Sequence, residues 1–517
     1  MLRTKQQTIT LSSMTRANLT FSILLIWTGI FPSFSDGNQN PARPSVLFIL
    51  ADDLGIGDLR CYWNSLIDTP AIDSLARSGV LLTNHYAPSP LCAPSRAGFL
   101  TGRFNHRTGA VDVPSNRGLD RITLQELTFG DYFRHAGYAT ALIGKWHNGI
   151  YCRDYLPHHR GFDFFFGFPN GGQDYYRWNL LRNDTSIPHD GRYLTDALND
   201  EAINFIHRHR HHPFALVLAH HAPHVPFQAP KTLIQKYRTR LGGKNNENVA
   251  TIYAMIEAMD QGLQRVFRTL KEEGLWNNTI IVFTSDNGAN LNKVNGINTD
   301  RFHGGFAGNK GNVLEQGIRV PAIISWPNKL TGGRTIHSPI HGCDWLPTLF
   351  HTTGKQPPRK AKSLDGTDVM RRLMGEPMSE LESRTLSFQK NRYTPTAYSD
   401  AAIRRGNWKL FWPGVAATMK KDAARDNPSY QRGITEPHWE MPLDRQLDPA
   451  PQFTAPTPKL FDLAADPSES RDVAMLHPEI VMQLSSQYDR WFTDVFSDWQ
   501  KSRHQIIEHD EQYWKQK

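Results

Sequence analysis

Apolar residues along this chain follow two rhythms. Short unbroken runs at 45–50 (S-V-L-F-I-L), 139–143, 214–219, 279–284 and 322–325 carry β-branched residues and no polar alternation. A strand that is apolar on both faces is covered on both faces, so these runs read as buried strands of a parallel sheet. Between them the spacing changes to three and four. Val249, Ile252, Tyr253, Ile256, Met259, Leu263, Val266 and Leu270 form the clearest stripe, predicting an amphipathic helix over 247–270. That stripe is core packing and carries no chemistry. Strands alternating with helices predict an α/β domain with helices on both faces of the sheet. In such folds ligands gather at the carboxyl edge of the strands.

After about residue 378 the texture changes. Runs at 385–389, 401–404, 408–412 and 460–463 read as short antiparallel strands, and apolar spacing over 478–499 predicts a helix. The expected organisation is a catalytic α/β domain over 42–378 and a smaller C-terminal α+β subdomain with an antiparallel sheet and a terminal helix over 379–517. Residues 413–459, rich in Pro, Asp and Arg, read as a long irregular insert inside the latter. An irregular loop of that length is either disordered or functional.

Charge and composition change this picture mainly at the N-terminus. Arg3, Lys5 and Arg16 precede an apolar run from Leu19 to Pro32, followed by Ser33-Phe34-Ser35, a small-x-small cleavage site. Residues 1–35 therefore read as a secretory signal peptide, too short for a membrane span, and the mature protein as exported (secreted or periplasmic). No later segment is apolar enough to cross a membrane. The formal net charge is +8 over 517 residues, and loss of the leader, with its three cations and no acids, leaves a mildly basic chain. That balance suits an anionic substrate. No dense basic run or basic-aromatic repeat accompanies it, so no nucleic-acid partner is expected. The four cysteines, Cys61, Cys92, Cys152 and Cys343, are too sparse for a disulfide framework.

Candidate chemistry collects where the predicted strands end. Asp52-Asp53 follows the first run, and Asp286-Asn287 follows the run at 279–284. In a parallel sheet both pairs lie at one edge, giving four oxygen ligands that select Ca²⁺, or less well Mg²⁺, over zinc. Cys92-Ala93-Pro94-Ser95-Arg96 opens a helix-compatible run with proline in its first turn. Cys92 would then sit at a helix N-terminus, where free amides favour an anion. Arg96 falls one turn later. Lys145 and His147 follow the run at 139–143, two residues apart as on one side of an extended segment. The run His220-His221-Ala222-Pro223-His224 follows that at 214–219. Its histidines lack a thiolate or a helical His-x₃-His spacing for zinc, and His224 is the candidate site residue. Lys310 lies between glycines in Gly308-Asn309-Lys310-Gly311, and Asp174, Tyr175 and Arg177 after Gly171-Gly172 are candidate substrate contacts.

The stretch C-x-P-S-R followed by Leu100-Thr101-Gly102-Arg103 resembles the signature of the type I sulfatases, relatives of alkaline phosphatase. Gly161-Phe162-Asp163-Phe164-Phe165-Phe166-Gly167 and Leu460-Phe461-Asp462-Leu463 are similar to further segments of that family. The resemblance covers nearly all of the mature chain. It implies an alkaline phosphatase-like fold, a large mixed and mostly parallel sheet sandwiched by helices. Cys92 would be oxidised by a formylglycine-generating maturation enzyme, and the aldehyde hydrate would be the nucleophile toward a sulfated carbohydrate or aryl sulfate. The implied calcium ligands are Asp52, Asp53, Asp286, Asn287 and the modified Cys92. Arg96, Lys145 and His147 would hold the hydrate, and His224 and Lys310 would grip the sulfate ester. Two rival readings share many of these residues: a formylglycine-dependent phosphodiester or phosphonate monoester hydrolase, separable by a panel of sulfate and phosphate esters, and a non-catalytic glycan-binding relative. The second should show lost ligands or a lost cysteine, and neither is lost.

Overall fold

The computed structural model describes residues 43–242, 247–294, 296–447 and 451–517. The predicted leader, 1–35, lies outside the described residues. The continuous apolar runs become strands because both of their faces are covered. In β1 (Ser45–Ala51), Leu47, Ile49 and Ala51 enter one apolar core, and Val46, Phe48 and Leu50 enter the other.

The remaining strands of the main sheet are β2 (Val80–Leu82), β3 (Ala139–Lys145), β4 (Phe164–Phe168), β5 (Asn179–Arg182), β6 (Thr185–Pro188), β7 (Phe214–Ala219), β8 (Thr279–Ser285), β9 (Ala322–Ser325) and β10 (Arg334–Ile336). Their order is β10-β2-β9-β8-β1-β7-β3-β4-β5-β6. The central five, β8 to β4, are parallel. Helices α1 (Pro70–Ser78), α3 (Leu194–Arg208) and α4 (Glu247–Glu272) bury apolar residues in the first core, and α2 (Cys92–Thr101) adds Ala97, Phe99 and Leu100 to the second.

The register fixes the carboxyl edge. Ala51 pairs with Ser285 and Gly144 with Ala219, so the residues that follow β1, β8, β3 and β7 emerge side by side. One expectation is corrected here. The run at 322–325 is buried but antiparallel to both of its neighbours. After β8 the chain carries Asp286 and Lys310 on the carboxyl edge and makes no crossover, so β9 starts at that edge and runs back.

At the C-terminal end, β11 (Thr385–Gln389), β12 (Ala401–Arg405), β13 (Trp408–Trp412) and β14 (Lys459–Asp462) form an antiparallel meander. The terminal helix, α6 (Pro478–Gln516), outruns its prediction because buried residues recur through Ser502, Arg503, Ile506 and Asp510. The insert at 413–459 is not irregular throughout. It contains α5 (Ala423–Thr435), whose Pro428 and polar composition hide it from periodicity. Contacts to the α/β layer hold this helix: Arg117 to Asp426 at 2.8 Å, Tyr151 to the Ser429 carbonyl at 2.6 Å, and Asn170 to the Tyr430 carbonyl at 2.8 Å. All four cysteines are free. Among the described residues, no helix is long and apolar enough to cross a membrane.

A buried ionic node joins the small sheet to the segment after β8. Lys409 of β13 lies 3.0 Å from Glu315 and 2.8 Å from Glu469, with all three side chains shut off from solvent. Glu315 also accepts a hydrogen bond from Tyr86 at 2.7 Å. Removing one member of such a cluster strands the others without compensation. The variant Lys409→Met is therefore expected to lose roughly 3–5 kcal/mol of stability, measured by chemical denaturation. A loss below about 1 kcal/mol, the range of an exposed ion pair, would show that the node contributes little.

Candidate functional site

Cys92 is the first residue of α2, a helix buried along its entire length. The position is fixed by tight packing. A Cβ on Gly98 would stand 2.5 Å from Pro88, and Gly102, at φ 64°, ends the helix with its amide on the Gly98 carbonyl. Arg96, one turn on, donates through Nε to Asp286 Oδ2 at 2.9 Å and through a terminal nitrogen to the Lys145 carbonyl at 3.0 Å. It thereby ties α2 to the ends of β8 and β3.

Around Cys92 each carboxylate has its own cation. Lys145 Nζ lies 2.7 Å from Asp52 Oδ2, Lys310 Nζ 2.5 Å from Asp53 Oδ1, and a terminal nitrogen of Arg96 2.8 Å from Asp286 Oδ2. Lys310 also approaches the Cys92 sulfur at 3.2 Å. Ligand atoms of Asp52, Asp53, Cys92 and His224 all lie within 4.8 Å of one another. The Asn287 amide nitrogen donates to Asp53 Oδ1 at 2.8 Å. Two buried oxygens, Asp52 Oδ1 and Asn287 Oδ1, have no hydrogen-bond partner. Orphaned acceptors among crowded carboxylates are what a hard cation satisfies, so this donor set fits a divalent ion bound through oxygen.

Electrostatics divide the acids. Burial would raise Asp52, yet Lys145, His224, His221 and Arg96 together hold it well below the usual carboxylate range. Asp53 is likewise lowered against burial, chiefly by Lys310. Asp286 is pushed up to about 7 by burial and then by the Asp52 charge. Burial also raises the Cys92 thiol, against the pull of Lys145 and Lys310.

His147 does not continue β3 as an extended residue. It sits at φ 56°, beyond the strand end, with its amide on the Pro169 carbonyl at 3.1 Å. Both of its ring nitrogens are buried without a partner. Burial, then Lys145 and Arg96, hold it well below the ordinary imidazole value. A Cβ on Gly171 would come within 2.6 Å of the ring, so only glycine fits there. His224 directs Nδ1 to the Val225 carbonyl at 2.7 Å and brings Nε2 to 3.9 Å from Asp53. A carbonyl only accepts, so Nδ1 carries the proton and Nε2 is the bare nitrogen of the neutral ring.

The structure thus brings Asp52, Asp53, Cys92, Arg96, Lys145, His147, His224, Asp286, Asn287 and Lys310 to one centre. Asp174 differs. Its Oδ1 accepts from the amides of Tyr176 and Arg177 at 2.8 and 2.6 Å, and its Oδ2 from Gln228 at 3.0 Å, so the carboxylate is engaged in ordering its own loop. Sequence reasoning passed over His221, whose Nδ1 lies 3.1 Å from Asp52 Oδ2 and whose Nε2 accepts from the Gln173 amide at 3.2 Å. Its place directly after β7 was the available signal. Tyr430, from α5, was also missed as a residue; the available signal was the long insert at 413–459, expected to help form the mouth of the pocket.

Residues 44–355 match the family model of the sulfatases. The chain belongs to the sulfatase family. Arylsulfatase D of Homo sapiens is 30% identical to this sulfatase over 87% of this chain and 86% of its own. Steryl-sulfatase of Mus musculus is 31% identical, over 83% and 78% respectively. Among solved structures, that of Ps i-CgsB superposes with a TM-score of 0.71 at 28% identity, covering 87% of this chain and 92% of that one. The same protein has been solved in complex with k-i-k-neocarrahexaose. By its family and its arylsulfatase and steryl-sulfatase relatives, this sulfatase is a sulfuric ester hydrolase.

Proposed function

We propose that this sulfatase is exported after loss of residues 1–35 and releases sulfate from a sulfated carbohydrate, using formylglycine made from Cys92 by a maturation enzyme and a bound calcium ion. The catalytic centre belongs to residues 42–378, and 379–517 form the C-terminal subdomain. The observation that carries the reading is the meeting of the α2 N-terminus, three carboxylates and three cations around the Cys92 sulfur. A carbohydrate substrate is supported by the oligosaccharide complex of Ps i-CgsB. Aryl sulfates, after the names of the curated relatives, are the alternative class.

Asp52, Asp53, Asp286 and Asn287 would hold the ion, with the modified Cys92 as a further ligand; when bound it supplies Lewis-acid polarisation of the sulfate oxygens. The hydrated aldehyde supplies an oxygen nucleophile with a second hydroxyl, through which the enzyme can be regenerated by elimination. Arg96 and Lys145 brace the centre from β8 and β3 and offset the negative charge brought by a sulfate. Lys310 Nζ, beside the Cys92 sulfur, is placed to bind an ester oxygen and to give the departing alcohol its proton. His224 presents Nε2 as an acceptor, so the donor role falls to Lys310. His147 is neutral and unengaged, in the state required to accept a proton at the Cys92 position.

Coexpression with a formylglycine-generating enzyme, followed by assay of sulfate against phosphate release, tests the reading. Sulfate released from sulfated glycans is the expected outcome. Preferential phosphate or phosphonate release by converted protein would replace it with the rival hydrolase. Silence on both classes, with conversion verified by peptide mass, would favour the glycan-binding reading.

A further inference from the structure

The wall beside Lys310 is built from segments outside the matched family domain. A Cβ on Gly311 would lie 3.7 Å from Lys390 Nζ, just beyond β11. A Cβ on Gly172 would lie 2.6 Å from the Tyr430 hydroxyl and 3.9 Å from the His224 ring, which sets Tyr430 against the catalytic histidine. Lys421, Arg392, Asp426, Asn427 and Tyr430 line a cavity of ≈ 110 Å³, in which the Asp426 carboxylate is already engaged by Arg117 at 2.8 Å and by the Tyr393 hydroxyl at 2.7 Å. Residues just beyond β11 and residues of the insert thus converge on one flank of the site.

The carboxylates on this flank are all taken by cations other than Lys421. Lys310 has Asp53, Arg392 has Asp112 at 2.8 Å, and Lys390 has Asp400 only at 3.7 Å. Lys421 has no carboxylate or hydrogen-bond partner among the described residues, and neither does the Tyr430 hydroxyl. Partial burial, then the nearby Arg392, Lys390 and Lys310, lower the Lys421 ammonium, although Asp112 opposes them. A cation crowded by cations does not stabilise the fold; an anion arriving among them relieves the repulsion.

We propose that Lys421, with Lys390 and the Tyr430 hydroxyl, binds a second anionic group of the substrate. The substrate is then a sulfate ester that carries a further sulfate or a carboxylate near the one removed. This rests on the Cys92 centre as the place of sulfate ester cleavage, so the test has a binding arm independent of turnover. Protein with unconverted Cys92 is titrated calorimetrically with matched disaccharides that are monosulfated, disulfated, or monosulfated with a uronate. The disulfated or the uronate sugar should bind at least tenfold more tightly than the monosulfated one, and which of the two does so identifies the second anion. Lys421→Ala should remove roughly tenfold of that preference, and Tyr430→Phe a smaller part.

In the turnover arm, the ratio of kcat/KM for the doubly anionic sugar to that for an aryl monosulfate should fall roughly tenfold in Lys421→Ala, through KM. The melting temperature should stay the same or rise, an outcome a structural lysine would not give. Equal binding of all three sugars by the wild type would overturn the proposal, as would a Lys421→Ala variant that loses monosulfate and doubly anionic binding alike. A preference in binding with no turnover of any sulfate ester would retain the anion site and sink the catalytic reading instead.

Discussion

Sulfate release should fall by at least about 10⁴-fold when Cys92 is replaced by alanine, with the fold intact. The side chain is small and sits at the start of a helix whose packing depends on Gly98, Phe99 and Leu100 rather than on the sulfur. Removing it takes away the only candidate nucleophile at the centre and little apolar contact. Serine is the more searching substitution. It can attack sulfur through one oxygen, but it offers no second hydroxyl from which to expel the sulfate, so the covalent ester has to be hydrolysed. Cys92→Ser is expected to release about one equivalent of alcohol and then stop, with intact-protein mass showing one added sulfuryl group. Sustained turnover by a variant verified to retain serine would remove the argument for an aldehyde.

Chelation should have the second largest effect. Sulfate release is expected to drop to background in a chelator and to return with Ca²⁺ but not with Zn²⁺, because the donors are oxygens. Loss of stability should be modest. Asp52, Asp53 and Asp286 each already face a cation, so removal of the ion leaves no bare carboxylate. With the ion at a hundred times its dissociation constant, linkage contributes about 2.7 kcal/mol, a shift of a few degrees readable by calorimetry. Full activity in protein shown metal-free by elemental analysis would exclude an ion from the reaction.

The main sheet was legible because a two-faced sheet writes itself as continuous apolar runs, and those at 45–50, 139–143, 214–219 and 279–284 are its central strands. The candidate site was legible for a related reason: its residues directly follow those strands or open α2. Less visible was whatever tertiary contact decides. Strand β2 has three residues, too few to show a rhythm, and β5 and β6, at the edge of the sheet, are four-residue strands that mix apolar and polar residues. The direction of β9 depends on where the preceding segment travels, which no local pattern encodes. Helix α5 contradicts its own composition at Pro428 and is held by Arg117, Tyr151 and Asn170, hundreds of positions away. With α5 hidden, Tyr430 and Lys421 were hidden too.

The enclosure of Cys92 also sets a schedule. Only 3% of the residue is accessible, and the groups that close over it come from β3, β7, the segment after β8 and the insert helix, all made later than α2. A modifying enzyme can reach this sulfur only while those parts of the chain are missing or unfolded. On the proposed maturation of Cys92, modification and folding would compete for the same nascent polypeptide, and a molecule that folded first would keep its thiol and stay inactive.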